Sequence, residues 1–218
     1  MPYTTLMREL TEETLRSGLE DVAGRCPDIA HALNQVGHPE LRQRAPGFAS
    51  LLRIIIGQQV SVASANAIWK RVEDGLWPLS PTNLLAFDDH ALRTLGFSRP
   101  KIVYARSLAK QCEDGFLQTD RLQSLSDNDA IAALTTVKGI GQWTAEIYLL
   151  FALGRRDVLP AGDLALLVAI KYLCSLPERP TPTDLRSRAK SWQPWRGAVA
   201  HLLWRYYSKV VNRNANPL

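Results

Sequence analysis

The chain has 218 residues, of which 46% are hydrophobic and 22% charged, and its formal net charge is +5. This length and composition are typical of a folded protein that buries a core, and they exclude a chain that is disordered throughout. The basic balance, with an isoelectric point near 9.3, fits a nucleic-acid partner but is too common to identify one by itself.

Helical patterns dominate the sequence. In chain order they are an N-cap at Thr11 followed by two acids, an apolar repeat over 51–55, and helices over 60–72, 98–112, 126–136, 181–191 and 194–211. Few stretches alternate between apolar and polar residues, so strands are expected to be scarce. These patterns predict an all-α fold of about ten short helices separated by proline and glycine.

The cysteines and the apolar stretches bear on the compartment. Cys26, Cys112 and Cys174 form no C-x-x-C pair and no four-cysteine group, which disfavours a disulfide framework, a zinc finger and an iron–sulfur cluster. The N-terminus lacks the pattern of a signal peptide, and the longest apolar stretches, such as 147–153, are too short to cross a membrane. We therefore expect a cytoplasmic protein without a membrane partner.

A glycine-rich turn, Val137-Lys138-Gly139-Ile140-Gly141, lies between two of the helical patterns. Two glycines around one apolar residue predict a tight hairpin with Ile140 buried between the flanking helices. Gly141 precedes the next helix, so its amide is expected to point outward and bind a phosphate oxygen, and Lys138 adds a positive charge. Taken alone, the pentapeptide fits an ordinary helix–helix turn equally well.

Four short motifs follow one another between about residues 46 and 206. They are Gly57-Gln58-Gln59-Val60-Ser61, Gly96-Phe97-Ser98-Arg99-Pro100-Lys101, the hairpin continuing through Gln142-Trp143-Thr144-Ala145 to 153–160 and Asp163, and Trp195-Arg196 with Leu203-Trp204. Together they resemble the helix-hairpin-helix DNA glycosylase superfamily, and within it the 3-methyladenine DNA glycosylase II branch, which removes alkylated bases. Four ordered motifs are far more specific than the hairpin alone.

Asp163 follows Pro160-Ala161-Gly162 and precedes an apolar helical pattern, so its position predicts a helix N-cap. Leu166 stands where a capping box would have Glu or Gln. A helix N-terminus favours a charged carboxylate, and fixed negative charge stabilises the oxocarbenium-like transition state of N-glycosidic bond cleavage. The same group could orient or deprotonate the attacking water. The resemblance places the family's catalytic aspartate at Asp163.

Few other groups suit acid–base chemistry. Asp157 is the nearest competing acid, but Arg155 and Arg156 beside it indicate a paired loop acid. The four histidines show no metal-ligand spacing and are interpreted as surface or ordinary core residues. An alkylated purine already carries positive charge and leaves readily, so one acid can suffice.

Relatives that also cut the DNA backbone place a lysine just after the hairpin, as the amine that forms a Schiff base. Trp143 stands at that position here, Lys138 lies on the phosphate side of the hairpin, and Lys171 is roughly 12 Å along a helix from Asp163. The resemblance therefore implies a monofunctional glycosylase that leaves an abasic site and requires no cofactor for catalysis.

The resemblance also assigns a pocket for the flipped base. Stacking and cation–π attraction can recover much of the free energy of flipping. Trp143 and Trp204 match pocket positions of the branch. Ile147 and Leu164 occupy places where relatives can have tyrosines, so the pocket is expected to be less aromatic here and the substrate range is in doubt.

The same resemblance assigns the groups that hold DNA. Gln59, with Gln58 beside it, matches the wedge that fills the gap left by the flipped base, and Lys138 and Lys101 are expected near phosphates. The hairpin is also expected to hold an alkali metal ion through three backbone carbonyls, those of Thr135, Val137 and Ile140.

The predicted architecture is a single glycosylase domain, 1–218, with two lobes. One lobe spans about 46–155 and carries the hairpin, and the other combines 1–45 with 156–218. Double-stranded DNA is expected in the cleft between the lobes, bound by a monomer, at the nucleoid of a bacterium or in a eukaryotic nucleus. Two alternatives stay open at this point, namely a bifunctional glycosylase–lyase and a noncatalytic hairpin protein that only binds DNA.

Overall fold

A computed structural model of the chain describes residues 9–211, so residues 1–8 and 212–218 of the predicted second lobe lie outside the described part. The described residues form two compact units, a continuous one, Arg44–Leu153, and a discontinuous one built from 9–43 and 154–211. All named secondary-structure elements in these ranges are helical, and one isolated antiparallel bridge joins Glu9 to Arg155. The predicted all-α fold is confirmed.

Twelve α-helices occur between residues 9 and 211. In chain order they are α1 (Glu12–Arg25), α2 (Pro27–Val36), α3 (Phe48–Gly57), α4 (Val62–Gly75), α5 (Pro81–Ala86), α6 (Asp89–Thr94), α7 (Arg99–Glu113), α8 (Asp127–Thr135), α9 (Gln142–Phe151), α10 (Leu164–Leu173), α11 (Pro182–Arg188) and α12 (Arg196–Tyr206). Two 3₁₀ turns cover Arg121–Ser124 and Ala189–Trp192, and a π-helical turn, Tyr207–Val211, continues α12. Within the described ranges, no helix combines the length and apolar character that a membrane span requires.

Hydroxyl side chains fix where several of these helices begin. The side chains of Thr11, Ser61 and Ser126 accept backbone N–H bonds at the starts of α1, α4 and α8. The last helix begins at Arg196, two residues later than the pattern from Pro194 predicts. Trp195 N–H bonds back to Trp192 O at 2.8 Å, and Trp195 is the N-cap of this helix.

The apolar helix α3 forms the centre of the continuous unit. Its sequence is hydrophobic on most sides, and Leu51, Leu52, Ile55 and Ile56 are fully buried. Helices α4, α7 and α9 pack against it, and α8 packs on α9. The hairpin between α8 and α9 is therefore mounted on the core of this unit.

Helix α12 occupies the same role in the discontinuous unit, where it packs against α1, α2 and α10. Just before it, the Trp195 ring lies so close to Gly18 that a Cβ on this glycine would sit 2.5 Å from the ring. The Arg156 guanidinium also stacks on this indole, 4.6 Å from a ring centroid. This packing brings Trp204, near the end of α12, to the start of α10.

Candidate active site and DNA-binding loops

Asp163 is the N-cap of α10, as the sequence predicts, and it is only 4% exposed. Its Oδ1 accepts hydrogen bonds from the N–H groups of Ala165 at 3.0 Å and Leu166 at 3.2 Å. The indole N–H of Trp204 donates to the same oxygen at 3.1 Å. Three donors on one oxygen fix the plane of the carboxylate, and the amide dipoles of the helix start attract its negative charge.

The position of Trp204 corrects the prediction that its ring stacks on a flipped base. The side chain is 1% exposed, so neither ring face is available to a ligand in this structure. Its one polar atom, Nε1, donates to Asp163 instead. Trp204 therefore orients the carboxylate from within the core of its unit.

His201 lies one helical turn before Trp204 and meets its indole edge-on, with ring centroids 6.0 Å apart. Nδ1 lies 2.8 Å from Gly197 O, which can only accept, so this nitrogen carries the proton. Nε2 then accepts from the backbone N–H of Arg42, at 3.5 Å. Burial lowers the pKa of His201 to about 4, so the imidazole is neutral near pH 7.

Asp157 is a paired loop acid, but its partner is not the one that the sequence suggests. Both carboxylate oxygens accept from the guanidinium of Arg196, each at 2.9 Å, and Oδ1 also accepts the Arg196 backbone N–H at 3.3 Å. The neighbouring Arg156 stacks on Trp195 instead. The bidentate ion pair joins the Asp157 loop to the first residue of α12, and this contact stabilises the fold.

The hairpin has the tight geometry that its two glycines predict. Gly139 adopts a φ of +92°, and a Cβ at this residue would lie 2.2 Å from the Tyr104 ring, so a side chain is excluded twice. Ile140 is buried, as expected. Lys138 is exposed, but its backbone N–H donates to Ser107 Oγ at 3.2 Å and is not available to a phosphate.

Two amides of the hairpin remain available to a ligand. Within the described residues, the N–H groups of Gly139 and Gly141 donate to no protein acceptor. Gly141 is exposed and is the N-cap of α9, where backbone N–H groups and the helix dipole favour an anion. This geometry suits an anion, and phosphate binding at the hairpin stays a prediction.

Gln58 and Gln59 lie in the loop after α3 and Lys101 lies in α7, and two of these three residues make bonds within the protein. Gln58 was expected to contact DNA, but its Nε2 donates to Gly139 O at 2.9 Å and to Thr144 Oγ1 at 3.0 Å. Lys101 was expected near a phosphate, but it is 8% exposed, its Nζ donates to Ile56 O at 2.6 Å and burial lowers its pKa. Gln59 alone is exposed at the tip of this loop.

The other predicted pocket residues divide between core and surface. Ile147 is 4% exposed within α9, and its place in the pocket for the flipped base stays a prediction. Trp143 is half-buried in the first turn of the same helix. Leu164 is 58% exposed immediately after Asp163 and offers apolar surface beside the carboxylate.

A family model described as HhH-GPD superfamily base excision DNA repair protein matches residues 52–195. The chain belongs to this family. The matched range includes the loop of Gln58 and Gln59, the hairpin and Asp163. The predicted resemblance is thereby confirmed.

Similar proteins carry names from one branch of the family. DNA-3-methyladenine glycosylase 1 of Schizosaccharomyces pombe is 35% identical over 163 residues, which cover 72% of this chain and 71% of that protein. DNA-3-methyladenine glycosylase 2 of Escherichia coli is 28% identical over 229 aligned positions, covering 91% and 78%.

Solved structures agree with these sequence matches. The 3-methyladenine DNA glycosylase of Schizosaccharomyces pombe, in complex with abasic DNA, superimposes with a TM-score of 0.81 at 30% identity and covers 90% of this chain and 98% of that chain. A DNA-3-methyladenine glycosidase from Bacillus halodurans gives a TM-score of 0.77 at 31% identity, with coverage of 91% and 92%.

The hairpin geometry predicts a loss of stability for one glycine-to-alanine change and almost no effect for another. Gly139→Ala should lower the free energy of unfolding by about 1–3 kcal/mol and weaken binding to duplex DNA, because the new Cβ meets Tyr104. Gly141→Ala has open space and a φ of −90°, so its stability should stay within about 0.5 kcal/mol of the parent. Urea unfolding and fluorescence anisotropy measure both, and equal losses in the two variants would contradict the packing argument.

The burial of His201 predicts acid sensitivity. As the pH falls from above 6.5 towards 4, the unfolded chain binds a proton on this residue at a higher pH than the folded chain, so the free energy of unfolding decreases by about 3 kcal/mol. Urea titrations of His201→Phe at pH 7 and pH 4.5 should show a smaller decrease than the parent protein. The exposed His31 provides the control, because His31→Gln should keep the parent's dependence. An unchanged dependence in His201→Phe would refute the assignment.

Proposed function

We propose that the chain is a monofunctional DNA glycosylase of base excision repair. It hydrolyses the N-glycosidic bond of alkylated bases flipped out of duplex DNA and leaves an abasic site. The observation that carries this proposal is the buried Asp163 carboxylate, held at the start of α10 by two amides and the Trp204 indole. Family membership and the names of the relatives support the same reaction.

The chemistry follows from a carboxylate that cannot turn away. Cleavage of the bond between base and sugar develops positive charge on the deoxyribose, and a fixed anion next to it stabilises that charge without rearranging during the reaction. The carboxylate can also accept a proton from the attacking water as it adds to the sugar carbon. The base leaves with the bonding electrons, which an alkylated purine accepts readily because it is already cationic.

Asp163 is proposed to carry the reaction without an amine nucleophile. A lyase would need a lysine in the pocket, and Trp143 stands in the first turn of α9 where such relatives have it. Lys171 lies in the last turn of α10, roughly 12 Å along the helix from Asp163. Hydrolysis by water is therefore the reaction proposed for this chain.

The hairpin is proposed to hold a DNA strand through its phosphates. Its Gly139 and Gly141 amides suit a phosphate oxygen, and the exposed Lys138 adds a charge that attracts the backbone without reading sequence. Double-stranded DNA is thus the proposed partner, bound by a monomer, and a solved relative is itself a complex with abasic DNA.

An alkali metal ion at the hairpin is part of the proposal. Within the described residues the carbonyls of Thr135 and Ile140 accept no hydrogen bond, and Val137 O accepts only the Ile140 N–H at 3.0 Å. Carbonyl oxygens with lone pairs to offer are ligands that suit a hard cation. Such an ion would neutralise charge where the phosphate binds and would take no part in bond cleavage.

The proposed substrates are 3-methyladenine and 7-methylguanine in duplex DNA. The names of the relatives support the first, and the cationic character of both bases matches a site with one acid. Apolar contact with Leu164, which follows Asp163 in the same unit, is the proposed contact with the flipped base.

Asp163→Asn tests this proposal. Asparagine keeps the N-cap but removes the charge, so base release from methylated duplex DNA should fall by about a hundredfold or more while the protein stays folded. Chromatography of the released bases measures the rate, and circular dichroism checks the fold. The matched control is Asp157→Asn, which removes the other nearby acid and should stay within a few fold of the parent. Release by Asp163→Asn at the parent's rate would refute the mechanism.

A further inference from the structure

One face of helix α7 contacts both loops that are proposed to hold DNA. Lys101 Nζ donates to Ile56 O in the last turn of α3, and the Tyr104 ring packs on Gly139 of the hairpin. One and two turns further along, Ser107 Oγ accepts the Lys138 N–H and Gln111 Nε2 donates to Thr136 O at 3.2 Å. These contacts are three to four residues apart, so they lie on one side of the helix.

Gln58 joins the same two loops directly. Its Nε2 carries two hydrogens, and these reach Gly139 O within the hairpin turn and Thr144 Oγ1 in the first turn of α9, 81 and 86 residues away in sequence. Both donor positions are therefore committed to the protein. Gln58 cannot donate to a base while it makes these bonds.

Gln59, the next residue, is held in a sparsely populated backbone conformation. Its φ is +56°, and among the described residues other than glycine only Ser175 also has a positive φ. A non-glycine residue keeps such a conformation only where its surroundings fix it, and strain of this kind is typical of functional tips. Two hydrogen bonds hold the chain just before Gln59. Lys101 donates to Ile56 O at the end of α3, and Gln58 donates to Gly139 O of the hairpin.

We propose that Gln58 is a positioning residue that couples the Gln59 tip to the phosphate-binding hairpin, with α7 as the rigid frame beneath both loops. This coupling sets the distance between the phosphate bound by the hairpin and Gln59, the residue that enters the duplex. It rests on the proposed function, because it matters only if Gln59 enters DNA. The sequence gives no sign of it, since residues 58 and 139 are joined only in the fold.

The test uses a duplex with a tetrahydrofuran abasic-site analogue opposite 2-aminopurine, a base whose fluorescence reports its stacking. The variants are Gln58→Met, which keeps the length of the side chain without its donors, and Thr144→Val, which removes one acceptor and leaves Gln58 in place. Gln118→Met is the matched control, because Gln118 also donates to a backbone carbonyl, that of Gly115, but only within its own loop. Binding is measured by anisotropy as a function of salt.

For the parent protein we expect a clear change in 2-aminopurine fluorescence at saturation. Gln58→Met should bind about tenfold more weakly and lose most of that change, and Thr144→Val should show a smaller effect in the same direction. The slope of log Kd against log salt should stay the same, because the hairpin still contacts the phosphates. The control should match the parent in every measurement.

Two outcomes would overturn the coupling. One is a full fluorescence change and an unchanged Kd in Gln58→Met. The other is a parallel loss of thermal stability, salt slope and fluorescence change, which indicates a purely structural residue. Failure of the parent protein itself to bind the abasic duplex is distinguishable from both, and it would overturn the proposed function together with the coupling.

Discussion

The arrangement depends on a carboxylate that is buried at the start of a helix and remains useful there. Removing Asp163 from water is unfavourable unless its oxygens find donors, and the start of α10 and the indole of Trp204 supply them. These donors also fix the direction of the carboxylate. The indole of Trp204 must itself be held in place to donate this bond. The edge-on contact with His201 and the packing of α12 hold it there.

A second constraint, the rigidity of the hairpin, applies to the continuous unit, because its backbone amides are the groups proposed to bind phosphate. A backbone amide can bind a phosphate only if the turn that carries it is rigid, and side chains from α7 and from the loop after α3 hold the hairpin from beneath. The side chains that make these contacts, those of Gln58, Ser107 and Gln111, are polar, but they bond to protein groups. Their polarity serves to fix loops, and the groups proposed for DNA are the two hairpin amides, Lys138 and Gln59.

Much of this could be predicted from the sequence where the signal is local. N-caps, the helical periods, the glycine turn and the cap position of Asp163 are set by neighbours within a few residues, and the structure has them where the pattern predicts. The four ordered motifs together also indicate the family, whose model matches residues 52–195.

The errors share a physical cause. The family resemblance assigns Lys101, Gln58 and Trp204 to DNA or the base. Long side chains choose their partners in three dimensions, and each of these found a closer one in the protein. Asp157 was paired with the wrong arginine for the same reason, since Arg196 is 39 residues away in sequence. His201 carried one faint signal, its helical spacing from Trp204.

The most direct test of the account is the single-turnover rate of base release by Trp204→Phe at saturating enzyme on methylated duplex DNA. Phenylalanine keeps an aromatic ring but cannot donate to Asp163. The account predicts a rate about tenfold to a hundredfold lower, since a hydrogen bond to a charged group is lost, with an unchanged Kd for DNA and a folded protein. A folded Trp204→Phe enzyme that releases bases at the parent's rate would show that the carboxylate does not depend on the indole, and the central claim would be wrong.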